Sequence, residues 1–243
     1  KENELENRGA SIDLLFHGQL RPQQQEVADA TITHLNEHGG GILQLRCGFG
    51  KTIIALNLFA RIGIKVLVMV HKEFLMNQWK ERIQQFLPDA RVGTLQAKTQ
   101  DVEDKDIVIG MLQSVAVGKY PESIYSAFGI CCFDECHHLG AKVFSRAMQI
   151  TRTRFMLGLS ATPDRKDRLR KVFDWHIGKV IFKVEAKVNQ HVYVKVDEFE
   201  DTDVTNNHGC LVFRHENRNV VYEEKPNLRA KLLGYLVSSP LRM

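Results

Sequence analysis

Short, wholly apolar runs alternate with longer amphipathic stretches over the first two thirds of the chain. Gly41 to Leu45, Val66-Leu67-Val68-Met69-Val70 (within a run from Lys65), Ile107-Val108-Ile109 (Asp106 to Gly110) and Phe128 to Phe133 carry almost no polar residue. Runs of that length and purity predict strands buried on both faces. Arg91 to Leu95 and Arg154 to Ser160 are predicted as further strands. Between them lie predicted helices. One starts at Pro22, a favoured first helical residue, and runs to about Glu37; its stripe of Val27, Ala30, Ile32 and Leu35 is only partial. Others cover Ile53 to Ala60, Glu73 to Phe86 (stripe Phe74, Trp79, Ile83, Phe86 and Leu87, stopped by Pro88), Gln113 to Ser126 with a break at Lys119-Tyr120-Pro121, and Ala141 to Ile150. Strands separated by helices predict an α/β fold with a mostly parallel sheet and helices on both faces. After about residue 176 the pattern changes. Val192, Val194 and Val196 alternate with Tyr193, Lys195 and Asp197, a half-exposed strand. Thr202 to Gly209 reads as a loop, and Pro226 to Ser238 looks helical.

In a sheet of this kind, ligands gather at the carboxyl ends of the strands. Three polar clusters fall there. The first is Leu45-Arg46-Cys47-Gly48-Phe49-Gly50-Lys51-Thr52. A strand, a glycine-bearing turn and a helix start make a phosphate cradle, since free N–H groups and the helix dipole favour an anion. Gly48, Phe49 and Gly50 would form it. Lys51 would reach the β- and γ-phosphates, and the Thr52 hydroxyl would hold Mg²⁺. Leu45 stands where the general phosphate-loop pattern has its first glycine, so taken alone the stretch could be a solvated turn. The second cluster, Asp134-Glu135-Cys136-His137-His138, follows a strand. Asp134 could hold Mg²⁺, and Glu135 could polarise an attacking water. An acidic turn with two exposed histidines is the plainer alternative. A metal site on His137 and His138 is disfavoured, because adjacent residues of an extended chain face opposite ways. The third cluster is Ser160-Ala161-Thr162.

Composition narrows the picture slightly. The chain has 243 residues, 44% hydrophobic and 26% charged, with a net charge of +4. That is ordinary for a globular protein and permits a nucleic-acid partner without requiring one. No apolar run is long enough to span a membrane, and no signal peptide opens the chain. The start at Lys1 suggests a piece of a longer protein. Five cysteines without a Cys-x-x-Cys pair argue against a zinc ribbon and for reduced thiols in an intracellular compartment. Arg152, Arg154, Arg165, Lys166, Arg168, Arg170 and Lys171 crowd the third cluster. They read as a phosphate-backbone track or, equally, as a solvated face. Trp79 and Trp175 could stack on bases but are expected to pack in the core.

Gly48-Phe49-Gly50-Lys51-Thr52, Asp134-Glu135-Cys136-His137 and Ser160-Ala161-Thr162 resemble motifs I, II and III of superfamily 2 helicases. Leu20-Arg21-Pro22-x-Gln24 resembles the adenine-reading motif, Val70-His71-Lys72-Glu73-Phe74-Leu75-x-x-Gln78-Trp79 motif Ia, and Gly110-Met111-Leu112-Gln113-Ser114 motif Ic. The order is unbroken from Leu20 to Val180 and is closest to the XPB/UvsW-like branch of phages and large DNA viruses. The sequence departs from that pattern at Gln23, where an aromatic is usual, at Arg46, often proline, and at Lys166, glutamate in XPB proteins.

The resemblance implies a RecA-like ATP-binding lobe over 20–183, with a lead-in at 1–19 and a linker or partial second domain over 184–243. It implies ATP and Mg²⁺ as cofactors. Lys51, Asp134 and Glu135 would be catalytic, Thr52 and Asp134 would hold Mg²⁺, and Gln24 and Arg21 would read adenine. His137, Ser160 and Thr162 would couple nucleotide state to motion. His71, Lys72, Gln78, Gln113, Ser114, Arg165 and Lys166 would touch nucleic acid, DNA above RNA. Motifs IV to VI of a second RecA-like lobe, with the arginine fingers of motif VI, are absent from this stretch. An RNA-directed helicase and a non-hydrolysing ATP- and DNA-binding module are the rival readings. A small-molecule kinase would leave motifs Ia, Ic and III without a purpose.

Overall fold

The computed structural model describes residues 7–117, 120–135, 141–161 and 175–184, together with strands 194–197, 212–215 and 220–221. The chain divides into two compact units, Lys1–Ala186 and Lys187–Met243.

The first unit contains, in order, α1 (Pro22–His38), β1 (Gly40–Leu45), α2 (Lys51–Ile62), β2 (Val66–Val70), α3 (Glu73–Phe86), β3 (Val92–Gln96), β4 (Thr99–Asp101), β5 (Ile107–Met111), α4 (Leu112–Ala116), α5 (Ser123–Ser126), β6 (Ile130–Asp134), α6 (Ala141–Thr151), β7 (Phe155–Ser160) and β8 (Val180–Val184). Its eight strands form one sheet in the order β4-β3-β5-β2-β6-β7-β1-β8. Every pairing is parallel except β3 with β4. The fold is the expected α/β one.

The strands are apolar throughout because both faces are covered. Val66, Val68 and Val70 of β2 join Ile107, Ile109, Leu157 and Leu159 under α1, α2 and α3. The intervening Leu67 and Met69 join Val108, Cys131 and Phe133 against α4, α5 and α6. Alternation along each strand thus feeds two cores.

Several expectations need correcting. The buried face of α1 is Gln24, Val27, Ala28, Thr31 and Leu35. The stripe is regular, but two of its members are polar, which is why it looked partial. Thr31 satisfies its buried hydroxyl on the Val27 carbonyl at 2.6 Å. On α3 the buried face is Leu75, Met76, Trp79 and Ile83, while Phe74 is 54% exposed; the helix begins at Glu73, which leaves Phe74 outside the stripe. Strands β4 and β8 were not foreseen. Thr99-Gln100-Asp101 is a polar, exposed edge strand, and β8 is short and only partly covered. Trp175 lies 79% exposed, and the neighbouring Ile177 is buried in its place.

The lead-in is a strap across the amino ends of the strands. Asn7 donates its backbone N–H to the Arg152 carbonyl at 2.8 Å and accepts from Arg154 N at 3.0 Å. Its side chain donates to the carbonyls of Tyr125 and Thr151, both at 3.2 Å. Lys65 N donates to the Ala10 carbonyl, Ile12 N to that of Gly63 and His17 N to that of Phe86. Gly9 passes so close to the Gly129 backbone that a Cβ there would overlap it.

In the second unit the described residues form β9 (Val194–Asp197), β10 (Val212–His215) and β11 (Val220–Val221). They pair antiparallel in the order β11-β10-β9. The expected loop at Thr202 to Gly209 and helix at Pro226 to Ser238 lie outside the described residues.

Candidate nucleotide site

The register aligns the carboxyl ends of the central strands. Gln44 of β1 pairs with Ser160 of β7, and Asp134 of β6 pairs with Leu159. The phosphate-loop start, Ser160 and Asp134-Glu135 therefore share one edge. Ser160 is fully buried there.

Beyond Leu45 the chain turns through Gly48 at φ 77 and Gly50 at φ 100. These left-handed angles suit glycine. A Cβ on Gly48 would meet nothing within 4 Å, whereas one on Gly50 would strike the Gln24 amide. The loop is thus open on one side and backed by α1 on the other. Gly50 caps α2 without a side-chain hydrogen bond, and the first turn holds no acidic residue. Its N–H groups and dipole are oriented for an anion.

Lys51 Nζ stands 3.3 Å from Glu135 Oε1 and donates to the Leu45 carbonyl at 3.4 Å. Both side chains of the pair are largely sheltered, at 12% and 22% exposure. Glu135 sits at φ 49, an unusual angle for a residue with a side chain and one that clusters at functional sites.

Asp134 closes β6 and is buried. Its Oδ2 accepts the Trp79 indole N–H at 2.8 Å. Burial pushes the carboxyl above its usual range. The Trp79 hydrogen bond works against that, the Glu135 charge adds to it and the Lys51 charge opposes it. Thr52, Gln78, Trp79, Glu81, Arg82 and Asp134 line a cavity of about 270 Å³. An alcohol and a carboxylate lining one cavity are the hard oxygen donors that Mg²⁺ takes, with waters and phosphate oxygens completing its shell. Among the described residues no cluster of three or more His, Cys, Asp or Glu could hold a cation by itself. Thr52 and Asp134 have the donor chemistry for a Mg²⁺ whose remaining ligands are phosphate and water oxygens.

Gln24 and Arg21 meet the loop from α1. Gln24 Oε1 accepts the Arg21 backbone N–H at 2.9 Å. Gln24 Nε2 and Arg21 Nη2 both donate to the Phe49 carbonyl, at 2.7 and 2.8 Å. The two residues brace the cradle, and a guanidinium with five donors keeps capacity for a base edge.

On the neighbouring loops, Gln113 Nε2 donates to the His71 carbonyl at 3.1 Å, tying two of the expected nucleic-acid loops together. Lys72 is exposed, with its ammonium 5.7 Å from the Phe74 ring centre. Ser114 Oγ accepts from Ala97 N at 3.1 Å. Gln78 is set apart from these, since it lines the cavity beside Thr52. Arg152 and Arg154 precede β7 and so stand at the amino edge of the sheet, about 20 Å of strand from Ser160. His137, Thr162, Arg165 and Lys166 lie outside the described residues. Among the described residues, Cys47 is exposed and Cys131 and Cys132 are buried.

Sequence reasoning missed the Trp79–Asp134 bond. A buried indole N–H needs an acceptor, but only the sheet order shows which carboxylate it reaches.

Residues 17–165 match the family described as "Type III restriction enzyme, res subunit". The chain belongs to this family. It is a RecA-like lobe of a superfamily 2 helicase, of the phage and large-DNA-virus branch. It is 37% identical over 183 residues to a protein of Acanthamoeba polyphaga mimivirus named "Putative ATP-dependent RNA helicase L396", covering 75% of this chain and 35% of that one. The lobe thus spans about a third of that relative's length. Its fold is shared with the UvsW helicase of bacteriophage T4 (TM-score 0.57, 21% identity, 73% of this chain and 70% of that one). It is shared equally with the SWI2/SNF2 ATPase core of Sulfolobus solfataricus, solved in complex with dsDNA (TM-score 0.57, 16% identity, 73% and 38%). Among the described residues no helix is long and apolar enough to cross a membrane.

Proposed function

We propose that this lobe binds Mg²⁺-ATP and supplies half of the catalytic site of a nucleic-acid translocase or helicase, acting on DNA. The observation that carries the reading is the meeting of Lys51, from the start of α2, with Glu135, just beyond β6, at 3.3 Å. The two segments are far apart in the chain, and between them they hold the cation and the carboxylate that phosphoryl transfer needs.

Nucleotide binding displaces Lys51 from Glu135 and lets it neutralise the β- and γ-phosphates. Thr52 and Asp134 hold Mg²⁺, which when bound supplies positive charge to the phosphate oxygens. Arg21 and Gln24 read the adenine edge. The released Glu135 orients a water and takes its proton. The water oxygen bonds to the γ-phosphorus as the bridging P–O bond breaks, and ADP leaves with the electron pair. His137, Ser160 and Thr162 relay the nucleotide state. His71, Lys72, Gln113 and Ser114 would contact the nucleic acid, and Arg165 and Lys166 are assigned to it by sequence. A second RecA-like lobe would close on the nucleotide in the longer protein and contribute arginine fingers.

The dsDNA in the complex of the Sulfolobus core supports DNA as substrate. The mimivirus relative's name favours RNA as a second reading. The test is ATP hydrolysis by this chain, and by one extended past Met243, each alone and with forked DNA, single-stranded DNA or RNA. The reading expects feeble turnover by the lobe and DNA-stimulated turnover by the longer protein. RNA preference would establish the second reading. Strong turnover by the lobe that ignores nucleic acid would overturn both.

A further inference from the structure

We propose that Trp79 is a positioning residue for the cation site, its indole N–H holding Asp134 by Oδ2 so that the other carboxylate oxygen would be left for the metal. This rests on the reading of Thr52 and Asp134 as Mg²⁺ holders. The indole is 1% exposed and donates at 2.8 Å to Oδ2. It is clamped from the other side by Phe59 of α2, whose ring lies 6.2 Å from it, near parallel at 22°. The donor therefore has little freedom, and α2 also carries Thr52, the second oxygen ligand. One aromatic pair and one hydrogen bond thus fix both ligands relative to each other across the cavity they line.

The choice of acceptor is informative. A buried indole could be satisfied by any carbonyl. Here it is spent on a carboxylate that lines the cation cavity. Partners of this kind fix the orientation of metal-binding groups, and their loss costs roughly 10–100-fold in metal affinity. A purely structural tryptophan would lose stability alone.

The test is binding of a fluorescent ATP analogue to this chain over a range of Mg²⁺ concentrations, beside thermal melting. Two changes are compared with the parent. Trp79→Phe removes the N–H and part of the ring. Replacement of Trp79 by 3-benzothienylalanine keeps the bicyclic shape and removes only the donor, so it remains informative if the phenylalanine variant fails to fold. The expected result is unchanged affinity without Mg²⁺, a Mg²⁺ requirement raised about tenfold and a small change in melting temperature. A Mg²⁺ requirement equal to the parent's in the benzothienyl protein would overturn the assignment of Trp79 alone. A parent that binds the analogue with no dependence on Mg²⁺ would remove the metal reading itself, and this inference with it.

Discussion

Lys51 and Glu135 are paired with each other, and the proposed mechanism needs each of them elsewhere. On that proposal nucleotide binding breaks the ion pair, so part of the phosphate attraction is offset by its loss. Removing the Glu135 charge by Glu135→Gln should therefore leave nucleotide affinity equal or tighter. Turnover in the extended, nucleic-acid-stimulated protein should fall by about 10²–10⁴, the usual contribution of a placed base. Equilibrium binding and steady-state hydrolysis measured on the same preparation check this. Parent-like hydrolysis would remove Glu135 from the water-orienting role. Its positive φ fits a residue held in place for that chemistry rather than for packing.

At the scale of elements, β3 and β5 are locked at their amino ends by one charge cluster. Asp106 Oδ2 accepts from the Arg91 backbone N–H at 2.8 Å and from Nε at 3.0 Å, and Oδ1 accepts from Nη2 at 2.7 Å. Burial alone would raise the Asp106 carboxyl, but the hydrogen bonds and charge of Arg91 outweigh it and hold the group below its usual range. A native pKa below the unfolded value gives stability that is present above the ordinary carboxylate range and is lost as pH falls through the native pKa. Asp106→Asn should lower the melting temperature by a few degrees at neutral pH. The gap from the parent should close only in acid below pH ~4. A gap independent of pH would mean that shape, not charge, is what matters there.

Elements were legible in the sequence where one physical signal dominated. The doubly buried strands β1, β2, β5 and β6 announced themselves because covering both faces removes polar residues. The phosphate loop was legible because its glycines and Lys51-Thr52 form a pattern that core packing does not call for. Elements held by backbone contacts were not. The strap from Asn7 to His17 is fixed chiefly by main-chain hydrogen bonds, which leave little trace in side-chain pattern. Strand β4 exists as a partner for β3, and its Thr-Gln-Asp sequence reads as a loop. Arg152 and Arg154 showed their charge but not their edge, which depends on where β7 begins.

At the scale of the whole lobe, the sheet order does what no single motif can. Strand β7 lies between β1 and β6, so Lys51 and Glu135, far apart in the chain, meet near its carboxyl end. Ser160 lies buried beneath that meeting point. Only topology converts the separate clusters into one site, and the sequence held its residues without their distances. The mimivirus relative is about three times as long as the stretch matched here.

The central claim is that this edge binds nucleotide through Lys51. Calorimetric titration of Mg²⁺-ATP into the parent chain and into Lys51→Ala tests it most directly, with melting curves to show that both are folded. The account expects saturable binding by the parent and a loss of at least about tenfold in affinity for the variant, the size of one charge-assisted contact. Equal binding by a folded Lys51→Ala protein would contradict the assignment of the phosphate loop and the function built on it.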